Sequence, residues 1–280
     1  MAQQRRSNRL ITFSSRPHLT THRPQLQSWR GPDLSIAVIA DLHVSAPWTS
    51  LGRLNKIVEL VNGLDADLVV LAGDFLAGQS MPGRAEPAHR IVQSLTALRA
   101  RLGIFAILGN HDWQDCTLAH RTKFERNSVI EAFADTDIRL LRNSAVRLKH
   151  SAQTFWLVGF DSQQPTRKDW KNGLHRPDEA FAQVPEGADA ILLAHEPDYF
   201  ANGDRRAKMQ ISGHTHGGQL NLFGWRPMTP SRFGGRYAYG HKQDEGRHLI
   251  VSGGIGFSGL PMRIGQPPEI TLIEITRPKT

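Results

Sequence analysis

Residues 35–43 read SIAVIADLH, an apolar run that stops abruptly on Asp41 and His43. Pro32 bounds it on the other side. A continuous apolar segment this short predicts a strand covered on both faces rather than an amphipathic helix. Residues 67–74 (DLVVLAGD) and 103–112 (GIFAILGNHD) repeat the design, again ending on polar side chains. Between the first two runs, Leu51, Leu54, Ile57, Val58 and Val61 recur at helical spacing behind Thr49 or Ser50 as cap. Between the second and third, Pro87 stands in the first turn of a helix with Ile91, Val92, Leu95 and Leu98 on its inner face. Strand and helix in alternation predict parallel βαβ units.

The second half holds more strands and less helix. Its apolar runs fall at 154–158, 190–194, 208–212, 248–252 and 270–275. That pattern predicts an α/β protein in which one sheet packs on a second, with helices outside. Neither an internal repeat nor a low-complexity linker interrupts it, so residues 33–280 are expected to form one domain behind a tail of residues 1–32. The chain has 280 residues, 39% of them hydrophobic and 21% charged, as expected of a folded globular protein and not of a disordered one. Its single cysteine, Cys116, excludes an intramolecular disulfide and a cysteine-rich zinc site.

The polar residues gain meaning from where the strands put them. Asp41 and His43 follow the first strand, Asp74 the second, Asn110 with His111 the third. His195 follows ILLA, and His214 with His216 follows MQIS in SGHTHGG. A lone Asp after a strand is ordinarily a turn former, and a lone loop His a solvated group; His18, His89, His120 and His241 read that way. Five strand ends carrying metal-ligand residue types are a different matter, because ligands gather at the carboxyl ends of strands in open α/β sheets. Imidazole and carboxylate without thiolate suit Mn(II), Fe or Zn. Two divalent ions, offset by Asp41, Asp74 and a bridging hydroxide, leave a centre near +1 that attracts a phosphate ester and supplies its nucleophile.

The ordered series DLH, GD, GNHD, a later lone His and GHTH, from Asp41 to His216, resembles the calcineurin-like metallophosphoesterase superfamily. The resemblance implies a four-layered αββα sandwich of two packed mixed sheets flanked by helices. It implies that Asp41, His43 and His216 hold one metal and that Asn110, His195 and His214 hold the other, with Asp74 bridging. His111 resembles the family histidine that stabilises the transferred phosphoryl group or protonates the leaving oxygen. Asp112 is expected to orient that ring, or else to cap its loop. The protein phosphatase branch carries Asp and Arg after GD; here Phe75-Leu76-Ala77-Gly78 stands instead, against a phosphoprotein substrate.

The segment 253–273, GGIGFSGLPMRIGQPPEITLI, is similar to a bacterial branch of membrane-associated phosphodiesterases that includes UDP-2,3-diacylglucosamine hydrolases, although that branch has Arg where Gly253 stands here. The expected activity is therefore hydrolysis of a phosphodiester or pyrophosphate bond in a lipid-linked or nucleotide-linked substrate. A nuclease acting on single strands and a metal-free scaffold of the same fold are the alternatives. Of the net charge of +8, residues 1–32 supply +6 from Arg5, Arg6, Arg9, Arg16, Arg23 and Arg30, with no Lys, Asp or Glu. Basicity that sits mostly in the tail, with no extended basic stripe after it, argues against nucleic-acid binding. It suits a solvated extension or, second, a grip on anionic lipid. With no apolar run approaching a membrane span, the expected location is the cytoplasm, with peripheral visits to the inner membrane face.

Overall fold

The computed structural model describes residues 11–12, 16–167 and 172–278. Strand Leu34–Ile39 lies where the apolar run predicted it, and its side chains divide by parity between two cores. Ala37 and Ile39 pack with Leu54, Ile57 and Val58 of helix Leu51–Asn62 and with Ile91, Val92 and Leu95 of helix Ala88–Leu95. Ile36 and Val38 face the other way, onto Phe155, Leu157, Ile191, Leu193, Ile211 and Ile250. Strand Leu68–Leu71 repeats the division, Val69 and Leu71 to one side, Leu68 and Val70 to the other. Each such side chain contributes about 1.5–3 kcal/mol on burial, which is why these strands carry no alternation of polar and apolar residues.

The first sheet runs His18–His22, Glu269–Ile275, Leu34–Ile39, Leu68–Leu71, Ile104–Ala106, Arg139–Leu140. The second runs Gly240–Asp244, Arg247–Val251, Met209–Ser212, Ala190–Leu193, Gln153–Gly159, Ser144–His150. Both are mixed. Leu34–Ile39, Leu68–Leu71 and Ile104–Ala106 are mutually parallel, whereas Glu269–Ile275 runs antiparallel to Leu34–Ile39. In the second sheet the four strands from Gln153–Gly159 to Arg247–Val251 are parallel, with an antiparallel strand at each edge. On its outer face Val158, Phe160 and Leu192 pack against Phe181 and Tyr199. Helix, sheet, sheet and helix make the expected four layers.

Ser50 caps the first helix as anticipated, accepting from Arg53 N. The second helix starts one residue later than expected, with Pro87 as its N-cap, and closes at Leu95; Leu98 is buried beyond its end.

The expectation of a solvated tail over residues 1–32 needs correction. Arg5, Arg6 and Arg9 lie outside the described residues, but His18–His22 is a strand, parallel to Glu269–Ile275. Thr20 Oγ1 donates to Glu269 there. Leu26 and Trp29 lie in the core between the sheets, the Trp29 ring against Phe155 and its Nε1 donating to Pro32 O. Two isolated apolar residues in a polar, arginine-rich stretch give no periodic signal, which is why this anchor did not show. Trp29→Ala is expected to cost about 3–5 kcal/mol, visible as a lower urea midpoint. A cost under about 1 kcal/mol would mean that the segment contributes little to the core.

Candidate metal centre

Parallel strands bring their carboxyl ends to one edge of each sheet, and the two edges meet at a seam. Asp41, Asp74 and Asn110 reach it from the first sheet; His195, His214 and His216 reach it from the second. Backbone bonds join neighbouring tips: Asp41 N donates to Gly73 O and His43 N to Asp74 O, both at 3.0 Å. Across the seam, His214 N donates to Asp41 Oδ1 at 2.8 Å and His195 Nδ1 lies 2.6 Å from Ala72 O. The loops are tightly wound. Asp41, His43, Asp74, His214 and His216 all have φ between 41° and 70°. For residues with a Cβ that region costs energy and is retained where surrounding structure enforces it, most often at functional sites. Gly213 packs so closely that a Cβ would stand 2.8 Å from Asp41 Oδ2.

All seven candidate ligands are buried and gathered. Asp74 Oδ2 is central, 3.5 Å from His43 Nε2 and 3.2 Å from His195 Nε2. Asp41 Oδ1 stands 3.9 Å from both His195 Nε2 and His216 Nε2. His43 Nε2 and His216 Nε2 face each other at 3.0 Å, and His214 Nδ1 lies 2.7 Å from Asn110 Oδ1. Ligand atoms close enough to share an ion fall into three groups: Asp41 with His43 and His216, Asp74 with His195 and His214, and His43 with Asp74 and His111.

These residues fit a cation on a point of chemistry. Asp41 Oδ2, Asp74 Oδ2, His195 Nε2 and His214 Nε2 are buried without a well-formed hydrogen bond, although Asp74 Oδ2 and His195 Nε2 face each other as an ion pair at 3.2 Å. Leaving polar atoms so is costly, and four together call for a shared partner. His43 Nδ1 faces Leu76 O at 3.0 Å and His195 Nδ1 faces Ala72 O, so each can donate there and turn its Nε2 lone pair inward. The donor set is imidazole, carboxylate and one amide; Cys116 sits apart, beside Ser128. That set suits Mn(II), Fe or Zn.

Electrostatics point the same way. Burial pushes the His43 pKa down to about 3 and holds His216 well below its usual range, with His43 and Arg263 adding to the latter effect. Both are neutral and ready to ligate. Burial disfavours charge on Asp74 and His195 too, but their mutual attraction outweighs it: Asp74 is held well below the carboxylate range and His195 well above its own. Burial raises Asp41 to about 7, against the pull of His195. A cation must displace the His195 proton and, below about pH 7, the Asp41 proton. Cation affinity is therefore expected to weaken as pH falls, by up to about tenfold per unit for each proton displaced. Calorimetric titration in buffers of differing ionisation enthalpy tests this; affinity unchanged between about pH 6 and 8 would contradict it.

His111 borders the group, its N–H donating to Asp74 Oδ1 at 2.7 Å and its ring edge-on to His43. Asp112 does not orient it. The Asp112 carboxylate is buried and accepts from the backbone N–H groups of Asp74, Phe75, Leu76 and Gly109, so it holds two ligand loops together. The ring partner is Asp115, whose Oδ2 lies 2.5 Å from His111 Nδ1. Its signal was the i,i+4 spacing across the short helix His111–Gln114, whose C-cap is Asp115. With Asp74 and Asp115 against it, His111 is raised above the usual histidine range despite burial.

Sequence reasoning also passed over Arg263, which is fully buried. Its guanidinium donates to the carbonyls of Gly253, Gly256 and His216, and Nη2 lies 3.1 Å from His216 Nδ1. It clamps the turn bearing His214 and His216 to the loop behind Asp41. A Cβ on Gly253 would meet Gln266 Nε2 at 2.8 Å, so a side chain there would require the Gln266 side chain to shift.

The family profile described as calcineurin-like phosphoesterase matches residues 34–218, which contain all seven candidate ligands. Among curated proteins, an uncharacterized metallophosphoesterase of Bacillus subtilis, YkuE, is 29% identical over 242 residues, covering 86% of this chain and 78% of that one. An uncharacterized metallophosphoesterase of Aquifex aeolicus is 26% identical over 247 residues, covering 88% and 86% respectively. A transmembrane protein with metallophosphoesterase domain from Danio rerio is 26% identical over 247 residues, and the match spans 52% of its length. Among the described residues of this chain no helix is long and apolar enough to cross a membrane.

Proposed function

Because this chain belongs to the calcineurin-like phosphoesterase family, we propose that it hydrolyses a phosphodiester or pyrophosphate bond at a centre of two divalent cations. Asp41, His43 and His216 would hold one cation, and Asn110, His195 and His214 the other, with Asp74 shared. The observation that supports the reading is the convergence on one seam of four buried ligand atoms that make no well-formed hydrogen bond, Asp41 Oδ2, Asp74 Oδ2, His195 Nε2 and His214 Nε2. When bound, such a pair of ions polarises phosphoryl oxygens and acidifies water at neutral pH. Manganese is the proposed ion, with iron or zinc as the alternatives compatible with the same donor set.

The residues of the chain do the rest. His111, held by Asp115 through Nδ1 and raised in pKa, presents Nε2–H as the acid for the leaving oxygen. The Asp115 carboxylate keeps the ring from turning and stabilises its cationic form. Neutral Asn110 spares the centre a third negative charge that would repel the substrate anion. Phe75 and Leu76 are buried after Asp74, and a Cβ on Gly78 would press His111 Cε1 at 3.0 Å, so the stretch 75–78 offers no side chain to grip a phosphoprotein. A lipid-linked or nucleotide-linked ester is the substrate class in keeping with the similarity of residues 253–273 to membrane-associated phosphodiesterases. The working location is then the cytoplasm and its membrane face.

The purified chain is expected to hydrolyse bis-p-nitrophenyl phosphate faster than p-nitrophenyl phosphate, to lose both activities to a chelator, and to regain them with Mn(II). Hydrolysis of neither ester with any of the three metals would leave the scaffold reading in its place. Monoester activity that clearly exceeds diester activity would overturn the diesterase assignment.

A further inference from the structure

Seven large apolar side chains are exposed among the described residues, and they are not scattered. Five, Leu222, Phe223, Trp225, Met228 and Phe233, fall within residues 222–233. The other two, Ile11 and Leu260, belong to segments bound to the base of that loop. Ile11 pairs with Ile264, Leu220 bridges to Ile264, and Gln219 Nε2 donates to Leu260 O. At the tip, Leu222 and Trp225 exchange both backbone hydrogen bonds around Phe223 and Gly224, and Gly224 N is satisfied by Asn221 Oδ1. Phe223 is 102% exposed and Trp225 65% exposed.

We propose that this hairpin tip is an interfacial docking element that inserts into an anionic lipid bilayer. Three features select a bilayer over a protein partner. The tip projects two exposed aromatic side chains, Phe223 and Trp225, from a narrow turn closed by the Leu222–Trp225 backbone bonds. Its N–H groups at Leu222, Gly224 and Trp225 are bonded within the turn, which lowers the cost of carrying this backbone toward an apolar phase. The loop itself is basic: between Asp204 and Asp244 the sequence has no acidic residue, while Arg226, Arg232, Arg236 and Lys242 follow the tip, and Asp198 bonds the loop at Ser231 and Arg232. Arg232 stands 3.6 Å from Asp198; Arg226 bonds Gly217 O and Arg236 lies over the Tyr237 ring, so neither charge is neutralised there. Apolar and aromatic tips rimmed by Arg are the chemistry of interfacial anchors, and acidic headgroups complement it.

The surface is also coupled to the seam. The loop leaves directly from the turn His216–Gly218, and Arg226 ties its base to Gly217. Docking would therefore set the candidate metal centre beside the lipid interface. The inference itself does not depend on hydrolysis, and its test needs no turnover.

The full chain is to be sedimented with phosphatidylcholine vesicles with and without phosphatidylglycerol, at low and high salt. The wild type is expected to sediment with the anionic vesicles, more weakly at high salt. The Phe223→Ser/Trp225→Ser double variant is expected to lose roughly 100-fold in partitioning with an unchanged melting temperature. Phe223→Ser alone serves if the pair is destabilised. Sedimentation of the variant equal to wild type overturns the proposal, as does a wild type that stays in the supernatant. Loss of binding only on Arg5→Gln/Arg6→Gln/Arg9→Gln would transfer the contact to the N-terminal arginines. A dimer by light scattering that the double variant converts to monomer would make a second copy of this chain the occupant.

Discussion

Asp74→Ala is expected to yield a folded protein that retains neither cation and hydrolyses no ester above background. Asp74 Oδ2 stands close to ligands of both groups, 3.5 Å from His43 Nε2 and 3.2 Å from His195 Nε2, and it forms no well-aligned hydrogen bond. Removing it subtracts one ligand from each proposed ion and one of two negative charges from the centre. It also frees His195, whose raised pKa rests chiefly on attraction to Asp74 opposing burial, so that the ring is no longer drawn toward the seam. His216→Ala removes a ligand from the Asp41–His43–His216 group alone and is expected to retain about one equivalent. Elemental analysis after gel filtration distinguishes the two. Near-stoichiometric metal in Asp74→Ala would overturn the shared-ligand assignment, whatever its effect on turnover.

The double-sided strands and the residues at their tips were legible because one physical rule covers both. A strand sandwiched between layers is apolar throughout, so its end is marked by the first polar residue: Asp41, Asp74, Asn110 and His195 each stand two to four residues beyond such an end. What escaped had no such contrast. His18–His22 reads HLTTH and pairs at a sheet edge, where half-burial asks little of side chains. Gly240–Asp244, GHKQD, is an outer strand held by backbone bonds to Arg247–Val251. Trp29 and Arg263 were illegible for another reason: their burial depends on what the distant chain places around them, Phe155 for one and the Gly253–Gly256 carbonyls for the other. The assignment of Asp112 shows the limit of adjacency. Side chains next to each other on a helical turn point apart, whereas those four apart meet, so the carboxylate beside His111 turned to four backbone amides and Asp115 took the ring.

That geometry makes a sharp expectation for His111. His111→Asn keeps a hydrogen-bonding side chain in nearly the same space but cannot donate a proton, and its kcat is expected to fall roughly 10²–10⁴-fold. Metal content should hold, since the seven proposed ligands are untouched; loss of metal would place His111 among them, as its proximity to His43 and Asp74 permits. Asp115→Asn separates positioning from proton transfer. The ring stays, but the carboxylate that helps raise its pKa is gone. Its protonated form is then lost at lower pH, so the alkaline limb of the kcat profile should move toward lower pH with metal content unchanged. Asp112→Asn should behave differently again: four N–H groups lose their charged acceptor, and stability falls together with metal content. An Asp115→Asn profile superimposable on wild type would remove Asp115 from the proton chemistry and leave it a helix-end contact. A shift in Asp112→Asn at full metal content would restore the assignment first expected from the sequence.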